Sequence, residues 1–122
     1  MNPTEHQIQS AFFKWWDMNY RSPLAWAVPN GGFRHITTAI KLKLEGVRPG
    51  IPDVFISIPK GKWSGLFLEF KTKTGTLTKP QKFYLDALSK AGYQTAVVRS
   101  VDEAISVVHE YMKQSNEIQK QV

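Results

Sequence analysis

Apolar residues recur at helical spacing near the start of the chain and predict an amphipathic helix over about residues 3–18. The apolar positions that share one face are Ile8, Phe12, Trp15 and Trp16. Asn2 is a suitable N-cap for this helix, and Pro3 suits its first turn. Glu5, three residues after Asn2, completes the pattern of a capping box. We therefore expect a first helix whose aromatic face is buried in the core.

Short apolar runs bounded by glycine and proline alternate with helical patterns along the rest of the chain. They predict strands over 24–28, 53–58, 65–71 and 93–99, and helices over 33–44, 79–91 and 100–113. The resulting order, α-β-α-β-β-α-β-α, predicts an α/β fold in which a mixed sheet is flanked by helices. We expect the second and third strands to form a hairpin, and the last two strands, which a helix joins, to run parallel.

N-capping patterns mark the starts of the last two predicted helices. Thr78 and Gln81 form a capping pattern at the start of one helix, and Ser100 and Glu103 form the same pattern in the other. The apolar side of the helix after Thr78 consists of Phe83, Tyr84, Leu85 and Leu88, and that of the 33–44 helix of Ile36, Ile40 and Leu44.

Composition favours one small domain with its own core, because the chain has 122 residues of which 42% are hydrophobic. We assign the domain to residues 1–113 and regard 114–122 as a polar C-terminal tail. The chain has no cysteine, which excludes disulfides and cysteine zinc sites. It shows neither an apolar run of about 18 residues nor a signal-peptide pattern, so we expect a cytoplasmic protein without a membrane partner.

The chain is basic, with a formal net charge of +6. The excess is concentrated between positions 34 and 82, where the basic residues are Arg34, Lys41, Lys43, Arg48, Lys60, Lys62, Lys71, Lys73, Lys79 and Lys82, and the acidic ones are Glu45, Asp53 and Glu69. Such an excess indicates a polyanionic partner, usually nucleic acid, although a solvated charged surface is the alternative interpretation. The candidate contacts with nucleic acid are Arg34, Arg48, Lys73 and Lys79.

Pro52-Asp53 and Glu69-Phe70-Lys71 are the most informative motifs. Asp53 opens one predicted strand, whereas Glu69 and Lys71 stand two positions apart on the next and share one face. If these strands form a hairpin, the two carboxylates can converge on one divalent cation, and the backbone carbonyl of Phe70 can face the same ion. Ligands made only of oxygen favour Mg²⁺ or Mn²⁺.

A site of this kind suits the hydrolysis of a phosphodiester bond. A divalent ion can activate water, neutralise the scissile phosphate and stabilise the leaving oxygen. The Lys71 ammonium can steady the attacking water and the charge that develops on phosphate oxygens. Each motif also arises by chance, Glu69-x-Lys71 as an exposed charge pair and Pro52-Asp53 as a turn. Their joint occurrence in a predicted hairpin of a basic domain favours the site.

Glu5 and Gln81 each have two interpretations. Both complete a predicted capping box, one in the first helix and one in the helix after Thr78. Glu5 can instead supply a third carboxylate to the cation, and Gln81, close to a helix N-terminus, can approach a phosphate or a water molecule. The residues alone leave both alternatives open.

Taken in order, these motifs resemble the VRR-NUC domain, a branch of the PD-(D/E)xK nuclease superfamily. The six matching blocks run through nearly the whole chain: Glu5-x-x-Ile8-Gln9, Pro29-Asn30-Gly31, Gly46-x-x-Pro49-Gly50-x-Pro52-Asp53, Glu69-x-Lys71, Gly75-x-Leu77-x-x-x-Gln81 and Gly92-Tyr93. No motif position departs from the family pattern. The resemblance implies a restriction-endonuclease-like fold.

The resemblance also implies which residues hold the metal. Asp53, Glu69 and the Phe70 carbonyl would bind Mg²⁺ or Mn²⁺, and Glu5 would join them directly or through water. No organic cofactor is expected.

Further roles follow from the same resemblance. Lys71 and Gln81 would act in catalysis together with Asp53 and Glu69, while Asn30 and Gly31 would lie near the substrate backbone. The chain resembles the minimal, stand-alone members of the family found in phages and bacteria. Those members are similar to Holliday-junction resolvases, which work as homodimers. A symmetric four-way junction needs two cuts, so two sites per assembly suit it.

Our hypothesis is a metal-dependent DNA endonuclease that acts as a homodimer on branched DNA, in the cytoplasm of a bacterial or phage-infected cell. Two alternatives remain. One is a nuclease that acts on flaps or duplex ends without junction preference. The other is a catalytically silent DNA-binding module, which would bind DNA in a salt-sensitive manner without turnover.

Overall fold

The computed structural model of the chain describes residues 2–29 and 36–115, except the side chain of Ile36. Its elements are α1 (Glu5–Asn19), β1 (Ala25–Ala27), α2 (Ile36–Leu44), β2 (Val54–Ile56), β3 (Leu66–Phe70), α3 (Lys79–Lys90), β4 (Gln94–Val98) and α4 (Val101–Met112). The predicted α/β class and the predicted order of elements are both confirmed. Each strand is shorter than predicted, although residues just outside the strands, such as Val28 and Lys71, still donate hydrogen bonds to the neighbouring strand's chain segment.

One four-stranded sheet, in the order β1-β2-β3-β4, forms the centre of the molecule. β2 pairs with both β1 and β3 in antiparallel fashion, and β3 pairs with β4 in parallel. The predicted hairpin and the predicted parallel pair are therefore both present. In the register, Val54 lies opposite Leu68 and Phe70 lies opposite Val98.

The core lies between the sheet and the pair formed by α1 and α4. Its fully buried members are Ile8, Phe12, Trp16, Val54, Ile56, Leu66, Leu68, Phe70, Val98, Ala104, Val108 and Tyr111. The Phe12 and Phe70 rings lie 5.8 Å apart between centroids, and they join α1 to β3. Trp15 is partly buried against the same cluster, as its place on the predicted aromatic face requires.

The first helix begins two residues later than predicted. Its N-cap is Thr4, not Asn2: the Thr4 hydroxyl accepts from the Gln7 N–H at 3.1 Å, and Gln7 Oε1 accepts from the Thr4 N–H at 2.9 Å. Both candidate caps stand three residues before a Glu or Gln, so the sequence offers two equivalent starts. Because Thr4 and Gln7 make both capping bonds, Glu5 has no part in the cap.

The other two caps agree with the sequence to different degrees. Thr78 and Gln81 form the predicted reciprocal capping box of α3. At the start of α4, the Ser100 hydroxyl accepts from the Glu103 N–H at 3.1 Å as predicted. The Glu103 carboxylate, however, accepts from the N–H of Arg99 at 2.6 Å.

Several apolar side chains remain exposed. On α2, Ile40 is 55% exposed and Leu44 84% exposed, so these two residues of the stripe predicted there are not buried. On α3, Phe83 is 64% exposed, while Tyr84 and Leu88 are half-buried. α3 contains no fully buried residue.

The beginning of the C-terminal tail contacts the domain. Gln114 Nε2 donates to Gln94 Oε1 at 3.3 Å, and the Ser115 carbonyl accepts from the Gly61 N–H at 3.0 Å. Positions 116–122 lie outside the described residues. Across 2–29 and 36–115, no helix has the length and apolar character needed to cross a membrane.

Candidate active site

The hairpin of β2 and β3 brings the two predicted carboxylates together. Since Val54 lies opposite Leu68, the next position of the same register places Asp53 opposite Glu69. Asp53 Oδ2 also accepts from the Phe70 N–H at 2.7 Å, which fixes its carboxylate against β3. The Phe70 side chain is buried in the core, so strand alternation puts Glu69 on the opposite face.

Glu69 is the most perturbed ionisable group of the site. It is 1% exposed, and burial raises its pKa to about 9, with the adjacent Asp53 carboxyl acting in the same direction through a hydrogen bond and its charge. The Lys71 ammonium lowers this pKa, and Glu5 raises it slightly. Glu69 Oε1 is buried and has no hydrogen-bond partner among the described residues. A buried carboxyl oxygen without a partner is unfavourable unless something satisfies it.

The donor set fits a hard divalent cation. A cation between Asp53 and Glu69 would remove the repulsion of the two carboxylates and satisfy the orphaned oxygen of Glu69. Within the described residues, no group of three His, Cys, Asp or Glu side chains converges closely enough to hold a metal. The candidate side-chain donors are therefore the two carboxylates, to which the sequence motif adds the Phe70 carbonyl, and Mg²⁺ commonly completes such a set with water.

Lys71 lies directly after β3, two positions beyond Glu69. Its N–H donates to the Val98 carbonyl at 3.0 Å, so the ladder between the parallel strands continues to this residue. The side chain is on the Glu69 face of the strand and is only 6% exposed. A largely buried lysine on the face of Glu69, whose pKa its charge lowers, suits a site that receives a phosphate or a water molecule.

A groove of about 840 Å³ connects the site to α1 and α3. Glu5, Gln9, Asp53 and Gln81 are among the residues that line it. Glu5 is exposed on the first turn of α1, so the structure brings it to the same groove as Asp53 without placing it in a three-carboxylate cluster. Gln81 faces this groove from the first turn of α3.

The two interpretations of Gln81 are compatible. Its Oε1 accepts from the Thr78 N–H at 2.9 Å and completes the cap. The side-chain amide nitrogen still carries two donor hydrogens, which suit a phosphate oxygen or a water molecule. Capping also fixes the orientation of this side chain at the groove.

Gly50 explains why α3 begins so close to Asp53. Its φ is +89°, and a β-carbon placed on it would lie 2.5 Å from the carbonyl carbon of Pro80. Only glycine allows the loop before Pro52-Asp53 to approach the first turn of α3 this closely. The sequence showed Gly50 as part of a motif but not the contact that requires it.

The proposed nucleic-acid contacts are spread over several loops. Arg48 is exposed in the loop between α2 and β2, Lys73 in the turn after β3, and Lys79 at the first position of α3. Asn30, Gly31 and Arg34 lie outside the described residues.

Sequence reasoning missed Arg99. Its Nη1 donates to the carbonyls of Thr72 and Gly75, at 2.8 and 2.7 Å, in the turn that follows Lys71. The available signal was positional: Arg99 follows β4 as Lys71 follows β3, and only the parallel register makes them neighbours.

Comparison with known proteins agrees with this geometry. The family model for the VRR-NUC domain matches residues 3–102. A solved structure described as a VRR_NUC domain protein is similar to the chain, with a TM-score of 0.81 and 28% sequence identity over 95% of this chain and 93% of that one. No curated protein is significantly similar. The chain therefore belongs to the VRR-NUC domain family, and its function is of the nuclease type.

Proposed function

We propose that the protein is a Mg²⁺- or Mn²⁺-dependent endonuclease that hydrolyses phosphodiester bonds in DNA. The observation that supports this most strongly is the pair formed by Asp53 and Glu69, in which a buried carboxyl oxygen has no partner among the described residues. Lys71 stands two positions further along the same face. Candidate cation ligands and a largely buried lysine are groups that can promote phosphodiester hydrolysis.

In this proposal Asp53, Glu69 and the Phe70 carbonyl hold the cation, with Glu5 joining directly or through water. The bound cation would supply charge neutralisation and an acidified water. The Lys71 ammonium donates hydrogen bonds to the attacking water and to the phosphate oxygens, where negative charge accumulates in the transition state. Gln81 donates from its amide nitrogen to the phosphate or to that water, and its cap keeps the donor oriented.

The basic residues would bind the DNA backbone around this site. Arg48, Lys73 and Lys79 are exposed and can pair with phosphates. Asn30, Gly31 and Arg34 are assigned to the substrate by their sequence positions. This positive surround compensates the negative charge of the carboxylate pair, which would otherwise repel a phosphate.

We further propose that the enzyme is a homodimer acting on branched DNA in the cytoplasm, as a Holliday-junction resolvase does. The aromatic residues of α1 offer no support for a dimer, since Phe12 and Trp16 are buried and Phe13 and Trp15 pack against the core. The candidate surface is instead on β1, where Trp26, a residue type enriched at interfaces, is 46% exposed on the edge strand of the sheet.

A cleavage assay tests the catalytic proposal. The wild-type protein and the Lys71→Ala variant are incubated with a four-way junction, a flap, a linear duplex and a single strand, each with Mg²⁺, Mn²⁺ or EDTA. We expect wild-type cleavage of the junction with either metal and none with EDTA. Lys71→Ala should lose at least about 100-fold in rate, the size of effect seen when one transition-state donor is removed, while its DNA affinity stays near that of the wild type.

Lys113→Ala is the matched control, because it removes one exposed lysine whose partner is the equally exposed Glu110. Its cleavage rate should equal that of the wild type. Full activity of Lys71→Ala, or wild-type cleavage in EDTA, contradicts the proposal. If flaps or duplex ends are cleaved in a metal-dependent manner as fast as the junction, the nuclease proposal stands and the proposed preference for branched DNA is wrong. Salt-sensitive binding without turnover would show a silent DNA-binding module.

A further inference from the structure

The turn formed by residues 72–75 follows Lys71 and is held by the side chain of Arg99. The Gly75 N–H closes the turn on the Thr72 carbonyl at 3.3 Å. Arg99 Nη1 donates to the same Thr72 carbonyl at 2.8 Å and to the Gly75 carbonyl at 2.7 Å, and lies 3.5 Å from the Lys73 carbonyl. One guanidinium therefore binds both ends of the turn. Hydrogen bonds from a charged donor are stronger than those between neutral groups.

The parallel pairing of β3 and β4 makes this contact possible. Phe70 lies opposite Val98, and the Lys71 N–H donates to the Val98 carbonyl. Lys71 and Arg99 are therefore the first residues beyond the same end of two adjacent strands. From that position the long Arg99 side chain reaches across the end of β3 to the turn.

The backbone of the turn at Gly75 lies beside the Lys71 side chain. A β-carbon placed on Gly75 would lie 3.6 Å from Lys71 Cδ and 2.9 Å from Thr72 Oγ1. Since Gly75 has no side chain, the backbone of the turn packs close to the aliphatic part of Lys71. Lys71 is only 6% exposed, and Gly75 is one of the residues next to its side chain.

We propose that Arg99 is a positioning residue for Lys71, acting through the 72–75 turn, a proposal that rests on the catalytic role of Lys71 in the proposed function. Lysine has a flexible four-carbon stem, so its ammonium is held in one place only if its surroundings restrict the rotamers. Arg99 fixes the turn, and the turn restricts the Lys71 stem. The guanidinium is engaged by backbone carbonyls and does not itself touch the substrate.

The test compares Arg99→Ala and Arg99→Lys with the wild type in steady-state cleavage and in DNA binding. In Arg99→Ala we expect kcat to fall by about 10- to 100-fold, the scale of loss that a small misplacement of a catalytic group causes, while KM and DNA affinity stay near wild type. Arg99→Lys should recover part of kcat, because its ammonium can still donate to the carbonyls of the turn. Hydrogen exchange at the Gly75 amide should be faster in both variants, and fastest in Arg99→Ala.

Two control variants separate a positioning role of Arg99 from a general effect on the stability of the protein. Glu103→Ala removes the carboxylate that accepts from the Arg99 N–H and weakens the start of α4, but it leaves the guanidinium contacts in place. Lys113→Ala removes one exposed positive charge at the C-cap of α4. We expect both controls to keep the wild-type kcat and the wild-type exchange at Gly75.

The outcomes distinguish this inference from the proposed function. If the wild-type protein shows no metal-dependent cleavage, the proposed function fails and the catalytic part of the inference fails with it. Unchanged exchange at Gly75 in Arg99→Ala overturns the inference even if the wild-type enzyme cuts DNA. A raised KM with unchanged kcat also overturns it, because Arg99 would then be a DNA contact. A loss of kcat in Glu103→Ala equal to that in Arg99→Ala would show a purely structural role and overturn it as well.

Discussion

At the scale of single residues, the raised pKa of Glu69 determines how the proposed cation site would respond to pH. Its pKa of about 9 in the metal-free protein means that the carboxyl carries a proton at neutral pH. A cation that binds to Asp53 and Glu69 must therefore displace this proton, and the apparent metal affinity should rise with pH. In the proposed metal site, burial and the neighbouring Asp53 carboxyl would thus couple metal binding to proton release.

Thermal unfolding of the metal-free protein over a series of pH values tests the raised pKa of Glu69. In the folded state Glu69 keeps its proton up to a pH of about 9, whereas its ordinary value is 4.5, so the folded protein binds more protons between these values. Stability from this group is complete below the ordinary pKa and is lost as pH rises through the folded pKa. We expect the Tm of the wild type, relative to that of Glu69→Gln, to fall as pH increases across this window.

Glu110→Gln is the control for the titration experiment, since Glu110 is an exposed carboxylate on α4. Its Tm should follow the wild-type curve at every pH. Identical pH dependence of the wild type and Glu69→Gln would contradict the raised pKa. Added Mg²⁺ or Mn²⁺ should raise the wild-type Tm most at high pH, because ligands that bind the folded state stabilise it.

The positions of the two carboxylates and Lys71 could be predicted from the sequence. The contact of Arg99 with the turn beside Lys71 could not. Strand alternation and a hairpin suffice to place Asp53, Glu69 and Lys71 together, and both depend on local sequence patterns. The contact of Arg99 with the turn joins positions 24 and 27 residues apart. It depends on which strands are neighbours and in what register, which no local pattern contains.

At the scale of elements, the contact between the loop before β2 and the start of α3 holds the two sides of the groove together. Gly50 meets the backbone of Pro80, and Gln81 follows directly in the capped first turn of α3. The position of Gln81 relative to Asp53 thus depends on Gly50. Because glycine has no side chain, the sequence pattern did not indicate this contact. The sequence identified the Thr78 cap correctly, because a capping box is a local signal.

Gly50→Ala should destabilise the protein more than Gly46→Ala. Both glycines have positive φ, +89° and +96°, but a β-carbon on Gly46 meets nothing within 4 Å, whereas one on Gly50 meets the Pro80 backbone at 2.5 Å. Gly46→Ala should cost about 1–2 kcal/mol from the left-handed backbone alone. Gly50→Ala should cost at least about 1 kcal/mol more, because overpacking adds to the strain.

Urea unfolding of the two glycine variants measures this difference. Gly50→Ala should also cleave DNA more slowly than Gly46→Ala at a temperature where both are folded, since the clash moves α3 and Gln81 away from Asp53. Equal unfolding free energies for the two variants would show that the approach of the loop to Pro80 is loose.

At the scale of the whole molecule, a row of aromatic rings crosses the sheet beside the site. Its members are Trp26, Phe55, Phe67 and Tyr93, and the rings of Phe55 and Phe67 stack at 4.4 Å between centroids. Strand alternation puts Phe67 on the same face as Glu69. Trp26 is the exposed end of this row. Large exposed aromatic residues are typical of protein interfaces.

Sedimentation velocity tests the homodimer. We expect a species of about twice the 13.9 kDa of one chain, and Trp26→Ser should shift the population towards the single-chain mass by removing apolar contact area. Leu44→Ser is the control. It changes an exposed apolar residue on a different element, α2, and should remain dimeric. A wild-type protein that sediments as a single chain at working concentration would contradict the homodimer.

The absence of any fully buried residue from α3 has a consequence for the lifetime of the site. An element with little buried area can detach in a local opening that costs less free energy than global unfolding. Such an opening would carry Gln81 away, whereas Asp53, directly before β2, and Glu69, on β3, would stay paired. The carboxylate pair should therefore persist for as long as the domain is folded, while the Gln81 side of the groove forms and dissolves many times within that period.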